Sequence, residues 1–284
     1  MAKQSVYEII TDEILSIMDQ GIIPWRKPWA AKGAHRNFVS GKQYRGVNVF
    51  LLSCSAFSSP WWLTFNQARQ KGGSVRKGEK GRRVVFWKWL VKNQEDLESG
   101  KNQEKKIPML RYYTVFNLDQ IEGIEAPEEA EVEMLDPIAA AEAIVSGMPS
   151  PPKCQAGSKA AYYPASDKVT MPDFQDFHSS EEFYSTLFHE LAHSTGHASR
   201  LNRKEITETN HFGTHEYSKE ELVAEMSAAF LCGESGILPA TIENSAAYLQ
   251  SWSAKFKEDK KMVICAAASA QKAADLILDR QLEE

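Results

Sequence analysis

The chain has 284 residues and carries 33 Lys and Arg against 38 Asp and Glu, which gives a formal net charge of −5. With 43% hydrophobic and 25% charged residues, the composition is typical of a soluble globular protein. No apolar run is long enough to span a bilayer, the N-terminus is not a secretory signal, and the four cysteines are scattered. We therefore expect a cytoplasmic protein with reduced thiols and no membrane partner.

The charge is divided unevenly along the chain. Residues 1–119 hold 20 Lys and Arg against 10 Asp and Glu, whereas residues 120–284 hold 13 against 28. Residues 26–92 alone contain 15 basic residues and one acid, Glu79. This asymmetry predicts a polyanion-binding half joined to an acidic half.

In the first half, the patterns of apolar residues, caps and glycines predict short helices followed by a strand pair. The predicted elements are helices over residues 5–20, 49–54 and 66–71 and strands over residues 82–91 and 110–118. A glycine-rich basic loop over residues 72–81 precedes the first strand, and the segment 93–106 is predicted to be a polar excursion between the strands. The loop matches neither the P-loop nor the dinucleotide fingerprint.

Aromatic and basic residues alternate in this half, which holds six of the seven tryptophans. Such a surface suits single-stranded nucleic acid, because rings stack on bases and cations follow the phosphates. The candidate DNA-binding residues are Arg36, Lys42, Tyr44, Arg45, Trp61, Trp62, Arg76, Lys77, Lys80, Arg82, Arg83 and Trp87. The alternative is that most of the tryptophans are core residues and that the cations only form a solvated face.

Five motifs of this half occur together in a defined order. They are YRGVN (44–48), WLTFNQA (62–68), GSVRKGEKG (73–81), VVFW (84–87) and VFN (115–117). In this order and spacing they resemble the N-terminal domain of ArdC-type antirestriction proteins, a domain that also opens some conjugative plasmid primases. The resemblance covers nearly all of residues 1–125 and implies a domain that binds single-stranded DNA and is carried by a mobile element.

In the second half, an acidic, proline-bounded linker precedes a helix over residues 138–145. Residues 160–172 are predicted to form a hairpin that turns at Ser166 and Asp167, to whose free edge an extended peptide can add. The helix over residues 179–193 follows, and it carries an apolar stripe of Phe183, Leu187 and Leu191.

The pattern H-E-x-x-H lies on this helix. His189 and His193 are one turn apart on one face, so two imidazoles can bind one ion, and Glu190 can reach a water molecule there as the general base. The competing interpretation is a helix with two surface histidines. A catalytic zinc site needs a third protein ligand.

Candidates for the third ligand follow later in the chain. Glu221 and Glu225 are one turn apart on a helix predicted over residues 218–232 and capped by Ser218. By analogy with zincins, the first acid binds zinc and the second orients a ligand histidine, which makes Glu221 the ligand and Glu225 its supporting partner. If Glu221 instead completes a capping box with Ser218, Glu225 becomes the ligand. His197 is a weaker candidate because it follows Gly196.

Residues 189–230 resemble the C-terminal metallopeptidase domain of the same ArdC type. The chemistry places Zn²⁺, or another divalent metal, on these ligands, and for the oxyanion donor we rank Tyr217 and His215 ahead of His211. Residues 241–280 are predicted to form alanine-rich closing helices.

We therefore predict an α+β chain with a basic, aromatic-rich domain (1–125) that binds single-stranded DNA, an acidic linker (126–136) and a zincin-like metallopeptidase domain (137–284). The resemblance implies an antirestriction protein that protects incoming plasmid DNA during conjugation. One alternative is a cytoplasmic, DNA-targeted metalloprotease, whose basic half delivers it to a DNA-bound host protein such as a restriction enzyme. The other is a binding module with a structural metal.

Overall fold

The computed structural model describes residues 4–26, 34–95, 102–127, 136–208, 214–237 and 246–281. Helices and strands are both abundant, which confirms the α+β class. The chain divides into two compact units. The first unit contains residues 1–10, 31–44 and 55–127, and the second unit contains residues 11–30, 45–54 and 128–284. Two segments of the N-terminal half therefore fold with the C-terminal half. The predicted boundaries of the functional domains, at residues 125 and 137, stay a prediction. Most of the predicted acidic linker (126–136) lies outside the described residues.

The first unit is built on strands that meet in two sheets. These strands are β1 (Arg36–Asn37), β2 (Trp61–Thr64), β3 (Ser74–Val75), β4 (Arg82–Glu95), β5 (Asn102–Asn117) and β6 (Ile121–Glu122). The larger sheet has the order β1-β2-β5-β4, and β3 pairs with β6. β4 and β5 form a long antiparallel hairpin, so the predicted strand pair is present. Both strands continue into the segment that was predicted to be a polar excursion.

A short helix closes one side of this sheet. It is α3 (Phe65–Gln70), and it begins where Thr64 and Gln67 form a capping box, as residues of this type favour. Its buried Ala68 packs with Leu63, Leu118 and Ile121 in a small apolar core. The sequence pattern predicted this helix to within one residue.

The second unit is mainly helical. Its helices in the C-terminal half are α4 (Pro137–Gly147), α5 (Ser180–Ser194), α6 (Lys204–Thr207), α7 (His215–Ser235), α8 (Ala246–Glu258) and α9 (Met262–Ile277). Helix α2 (Val47–Ser53) also belongs to this unit, and helix α1 (Val6–Met18) has residues in both units. None of the described helices combines the length and apolar character that crossing a bilayer requires.

The long helices α7 and α9 approach each other through small residues. Ala267 and Ala270 of α9 are fully buried, and Ser227 of α7 donates a hydrogen bond of 3.2 Å to the carbonyl oxygen of Ala270. Small side chains let the two backbones come close, which explains the alanine-rich composition of the C-terminal segment. Trp252 and Phe256 of α8 are also buried, as the sequence predicted.

A three-stranded sheet lies beside the helices. Its strands are β7 (Lys153–Ala156), β8 (Ala161–Tyr163) and β9 (Lys168–Met171), in the order β7-β9-β8. β8 and β9 form the predicted hairpin, and Asp167 takes the left-handed conformation in its turn, with φ of 45°. Arg200 holds this turn by pairing with Asp167 and by donating to the carbonyl oxygen of Ser194.

One predicted helix boundary is wrong. α7 begins at His215, three residues earlier than predicted, because Thr214 caps it by accepting a hydrogen bond from the backbone N–H of Tyr217. Ser218 lies inside the helix, buried, and donates to the carbonyl oxygen of Thr214. A capping box between Ser218 and Glu221 is therefore absent, and Glu221 is available for another role.

The replacement Phe50→Ala tests the placement of residues 45–54 in the second unit. Phe50 is fully buried and stacks on Phe230 of α7, with ring centroids 4.8 Å apart. We expect the free energy of unfolding to fall by about 3–5 kcal/mol, because a ring-sized cavity forms. Denaturant titration followed by circular dichroism measures the change. Phe174→Ala is the matched control, since Phe174 is 50% exposed. Equal losses in the two variants would contradict this placement.

Candidate functional site

Helix α5 positions the two histidines of the H-E-x-x-H pattern. Ser179 caps the helix by accepting a hydrogen bond of 3.2 Å from the backbone N–H of Glu182. Leu187, Phe188 and Leu191 are buried and fix the rotation of the helix about its axis. This rotation turns His189 and His193 to the same side, as their spacing predicted.

Three ligand atoms converge beside this helix. Nε2 of His189 lies 3.1 Å from Nε2 of His193. Oε2 of Glu221 lies 3.7 Å from Nε2 of His189, and Oε1 of Glu221 lies 3.5 Å from Nε2 of His193. Atoms bound tetrahedrally to one cation at 2.0–2.1 Å are about 3.3 Å apart. The three donors therefore fit around one divalent ion. Within the described parts of the chain they form the one group of His, Cys, Asp and Glu side chains tight enough to do so.

The surroundings shift the pKa values of the two imidazoles in opposite directions. Burial lowers the pKa of His189 to about 3, so this imidazole is neutral and its nitrogens can bind a cation. Burial also disfavours a charge on His193, but its hydrogen bond to Glu220 and the nearby carboxylates outweigh burial and raise its pKa. With the Nδ1 proton directed at Glu220, the Nε2 atom of His193 faces the other two donors.

Glu220, rather than Glu225, orients His193, one of the candidate metal ligands. Its Oε1 atom lies 3.1 Å from Nδ1 of His193, and Arg203 donates to both of its oxygens at 2.9 Å and 2.6 Å. Arg203 also donates to the hydroxyl of Thr195 and to the carbonyl oxygen of Ala192, at the end of α5. The predicted supporting role of Glu225 is therefore wrong, because Glu220 is the residue of α7 that faces His193.

Gly196 lets Arg203 reach this position. The chain turns directly after α5, and a Cβ atom at Gly196 would lie 2.5 Å from Cγ1 of Ile206 and 3.0 Å from Nη2 of Arg203. A larger residue would push Ile206 and Arg203 away. His197 follows the glycine, and its Nδ1 atom lies 2.8 Å from the hydroxyl of Ser199. It is not part of the three-donor group.

Glu190 lies next to the three donors and is 9% exposed. Burial raises its pKa, although the charge of His193 and a hydrogen bond from the backbone of Tyr162 act in the opposite direction. A carboxylate with a raised pKa is suited to accept and return a proton. Tyr162 is on β8, an edge strand of the three-stranded sheet, so this strand contacts helix α5 at Glu190.

Of the two oxyanion donors ranked first, Tyr217 lies beside the three-donor group, where it is hydrogen-bonded to Glu221. Burial, together with the charge and hydrogen bond of Glu221, raises the pKa of Tyr217 to about 12, so its hydroxyl keeps its proton. His215 instead directs Nε2 towards Asp259, at 3.3 Å. His211 lies outside the described residues.

Glu225 belongs to a different cluster, which sequence reasoning missed. Its Oε2 atom accepts from Trp25 Nε1 at 2.9 Å and from the hydroxyl of Tyr248, and it lies 3.5 Å from Nη2 of Arg26. The guanidinium of Arg26 stacks over the ring of Tyr248 at 3.9 Å. The contact joins residues 200 positions apart, so no local pattern can signal it.

The predicted DNA-binding residues fall into distinct groups. Tyr44 and Trp62 are buried, and Trp62 donates to His35 at 3.1 Å, so their prediction as stacking residues is wrong. Trp61 is partly buried against Phe38. Arg45 pairs with Asp275 of α9 in the second unit. The predicted residues that are exposed are Lys42, Arg76, Lys77, Lys80, Arg83 and Trp87, while Arg36 and Arg82 are partly exposed.

The hairpin of β4 and β5 presents aromatic rings that the prediction mostly omitted. Four rings are between 42% and 49% exposed, and they are those of Phe86, Trp87, Tyr112 and Tyr113. Because Val85 lies opposite Tyr112, the side chains of Arg83, Trp87 and Tyr112 share one face of the hairpin. The guanidinium of Arg83 lies 5.9 Å from the ring centre of Tyr112. Rings and cations are therefore side by side on an exposed surface.

Comparison with known proteins gives two family matches. Residues 4–116 match the N-terminal domain of anti-restriction factor ArdC, and residues 139–269 match a zincin-like metallopeptidase. Two DNA primases named TraC from Escherichia coli are 33% and 32% identical over 99% of this chain. The chain spans only 20% and 28% of their lengths. An uncharacterized protein of Sinorhizobium fredii, y4eC, is 31% identical over 95% of this chain and 90% of its own length.

Two crystal structures of the antirestriction ArdC protein from the R388 plasmid are similar over almost the whole chain. The metal-free structure is 37% identical, has a TM-score of 0.76 and covers 98% of this chain and 100% of that one. The Mn(II)-bound structure is 36% identical, has a TM-score of 0.77 and covers 97% and 98%. The agreement in both halves and over the full length shows that the chain belongs to the ArdC family of antirestriction proteins.

Proposed function

We propose that this protein binds single-stranded DNA through its first unit and so protects incoming plasmid DNA from restriction during conjugation, while its second unit carries a zinc metallopeptidase-type centre. The observation that carries the DNA-binding half is the exposed surface of rings and cations on β4 and β5. Its action would lie in the cytoplasm, where incoming DNA meets restriction enzymes.

The nature of this surface supports single-stranded rather than duplex DNA. Trp87 and Tyr112 are exposed on the same face of the hairpin as Arg83, and unpaired bases can stack on such rings without sequence preference. Bases inside a duplex already stack on each other. The cations of the loop that precedes β4, which include Lys77 and Lys80, can follow the phosphates.

The donor set supports zinc at the second unit. Two imidazoles and one carboxylate on a helical scaffold are a ligand set that catalytic zinc uses, with the fourth position left for water. Three described protein donors, rather than four, argue against a purely structural zinc. Another divalent metal also fits these donors, and a relative of this chain has been crystallised with Mn(II).

The arrangement suits hydrolysis of an amide. A divalent ion would supply Lewis-acid chemistry and lower the pKa of a water molecule at the centre. Glu190 would accept a proton from this water and return it to the leaving amine, as its raised pKa allows. Tyr217, which stays protonated, would donate a hydrogen bond to the developing oxyanion.

A second candidate function is supported by Glu190 itself. Burying the carboxylate of Glu190 costs folding free energy, and acids with a raised pKa beside metal donors are typical of catalytic sites. This favours a protease that cleaves a host protein such as a restriction enzyme. In that case the first unit would bring the protease to DNA-bound targets. Antirestriction would then require Glu190.

The replacement Tyr112→Ala tests single-stranded DNA binding. We expect the dissociation constant for an oligothymidylate to rise about 5- to 150-fold, because one stacked base contributes roughly 1–3 kcal/mol. Fluorescence anisotropy with single-stranded and duplex oligonucleotides over a range of salt concentrations measures it. The slope of affinity against salt should stay the same, since no charge is removed.

Tyr163→Ala is the matched control for this experiment. Tyr163 is 37% exposed and has a lysine, Lys168, 5.0 Å from its ring centre, but it lies in the second unit. The control should bind like the wild type. Equal effects of the two replacements, or a preference of the wild type for duplex DNA, would refute the proposed surface.

The replacement Glu190→Gln distinguishes the two candidate functions. It keeps the three metal donors and removes the proton acceptor, so metal content should be unchanged. If DNA binding protects the plasmid, conjugation into a restricting host should remain as efficient as with the wild type, while Tyr112→Ala should lose the protection. Loss of protection in Glu190→Gln with normal DNA binding would instead favour the protease.

A further inference from the structure

The basic loop of residues 72–81 contains an acid whose presence needs an explanation. Glu79 is the one acidic residue among residues 26–92, which contain 15 basic residues. It lies between Lys77 and Lys80, both exposed. If this loop binds phosphates only through its net charge, a carboxylate at this position weakens binding.

The contacts of Glu79 join the loop to the body of the first unit. Its Oε2 atom accepts a hydrogen bond of 2.8 Å from Nε2 of Gln120, and its Oε1 atom lies 3.0 Å from Nη2 of Arg76. Gln120 is 1% exposed and is fixed in turn, because its Oε1 atom accepts from the backbone N–H of Asn117 at 2.8 Å. Hydrogen bonds from Gln120 and Arg76 lower the pKa of Glu79, so it stays charged near neutral pH.

The backbone of the loop is held at the same place. The N–H of Arg76 donates to the carbonyl oxygen of Gln120 at 3.0 Å, and Nε2 of Gln120 donates to the carbonyl oxygen of Lys80 at 3.1 Å. Between these points the chain makes a tight turn, in which the N–H of Glu79 donates to the carbonyl oxygen of Arg76 and Gly78 has φ of 90°. Only glycine adopts this φ without strain.

The end of the loop is fixed against β5. A Cβ atom at Gly81 would lie 2.4 Å from Cγ2 of Thr114 and 2.8 Å from the carbonyl oxygen of Val115. The loop therefore enters β4 in a fixed direction. Two residues after Gly81 comes Arg83, which shares a face of the hairpin with Trp87 and Tyr112. The fixed contact of Gly81 therefore joins the basic loop directly to this face.

We propose that Glu79 is a positioning residue for binding of single-stranded DNA: it ties Arg76 and the turn to Gln120, so that the loop presents its cations in a preformed arrangement. This inference rests on the proposed DNA-binding function. The hydrogen bonds of Glu79 contribute more to binding than its negative charge subtracts, because an ordered loop loses less conformational entropy when it binds.

Three replacements of Glu79 in the full-length protein separate geometry from charge. Glu79→Gln and Glu79→Ala both remove one negative charge, but only glutamine keeps an oxygen that can accept from Gln120 or Arg76. Glu79→Asp keeps the charge and shortens the reach. Glu125→Gln, at an exposed acid of the same unit, is the control for loss of charge alone. The probe is a fluorescent oligothymidylate over a range of salt concentrations, and thermal unfolding checks that each variant is folded.

We expect Glu79→Ala and Glu79→Asp to weaken binding about three- to tenfold, which corresponds to the loss of one or two hydrogen bonds. Glu79→Gln and Glu125→Gln should bind as tightly as the wild type or more tightly. The dependence on salt should change less in Glu79→Gln than in Glu79→Ala, because glutamine keeps one of the two hydrogen bonds and alanine keeps neither.

Equal affinities of Glu79→Ala and Glu79→Gln would overturn the inference, because charge alone would then explain the acid. If Glu79→Ala does not fold, Glu79→Asp decides the question, and wild-type affinity in that variant would overturn the inference. A wild-type protein that does not bind the oligonucleotide would refute the proposed function and this inference together.

Discussion

The hydrogen bond between His193 and Glu220 is the constraint on which the candidate metal centre depends. It fixes the tautomer and the rotation of the imidazole, so that Nε2 faces His189 and Glu221. Glu220 can do this because Arg203 donates to both of its oxygens and anchors itself on the end of α5. Arg203 and Glu220 are almost completely buried, so loss of either partner would leave an uncompensated charge, at a cost of about 3–5 kcal/mol.

The same device occurs at three places in the protein. Glu220 orients His193, Glu225 holds Trp25 and Tyr248, and Glu79 holds Arg76 and Gln120. In each case the carboxylate pairs with a side chain at least 27 positions away in the sequence. These acids therefore act mainly by fixing the direction of neighbouring side chains, and their charges are balanced by the donors around them.

The sequence predicted those parts of the site that depend on local periodicity. His189, Glu190 and His193 follow from the helical period, and Glu221 follows from its place on a second helix. Glu220 could not be chosen over Glu225 from the sequence, because the rotation of α7 depends on packing against α5 and α9. The aromatic residues show a related limit: composition identifies the rings, but only the fold decides that Trp62 is buried and that Tyr112 is exposed. Trp25 and Phe50 join the second unit through contacts that no local pattern encodes.

The metal content of the purified full-length protein shows whether the three donors bind an ion, and mass spectrometry measures it for the wild type, His189→Ala and His197→Ala. Both variants lose one histidine near the end of α5, but only His189 belongs to the three-donor group. We expect about one divalent ion per chain in the wild type and in His197→Ala, and none in His189→Ala. A stoichiometric ion retained by His189→Ala would refute the three-donor site.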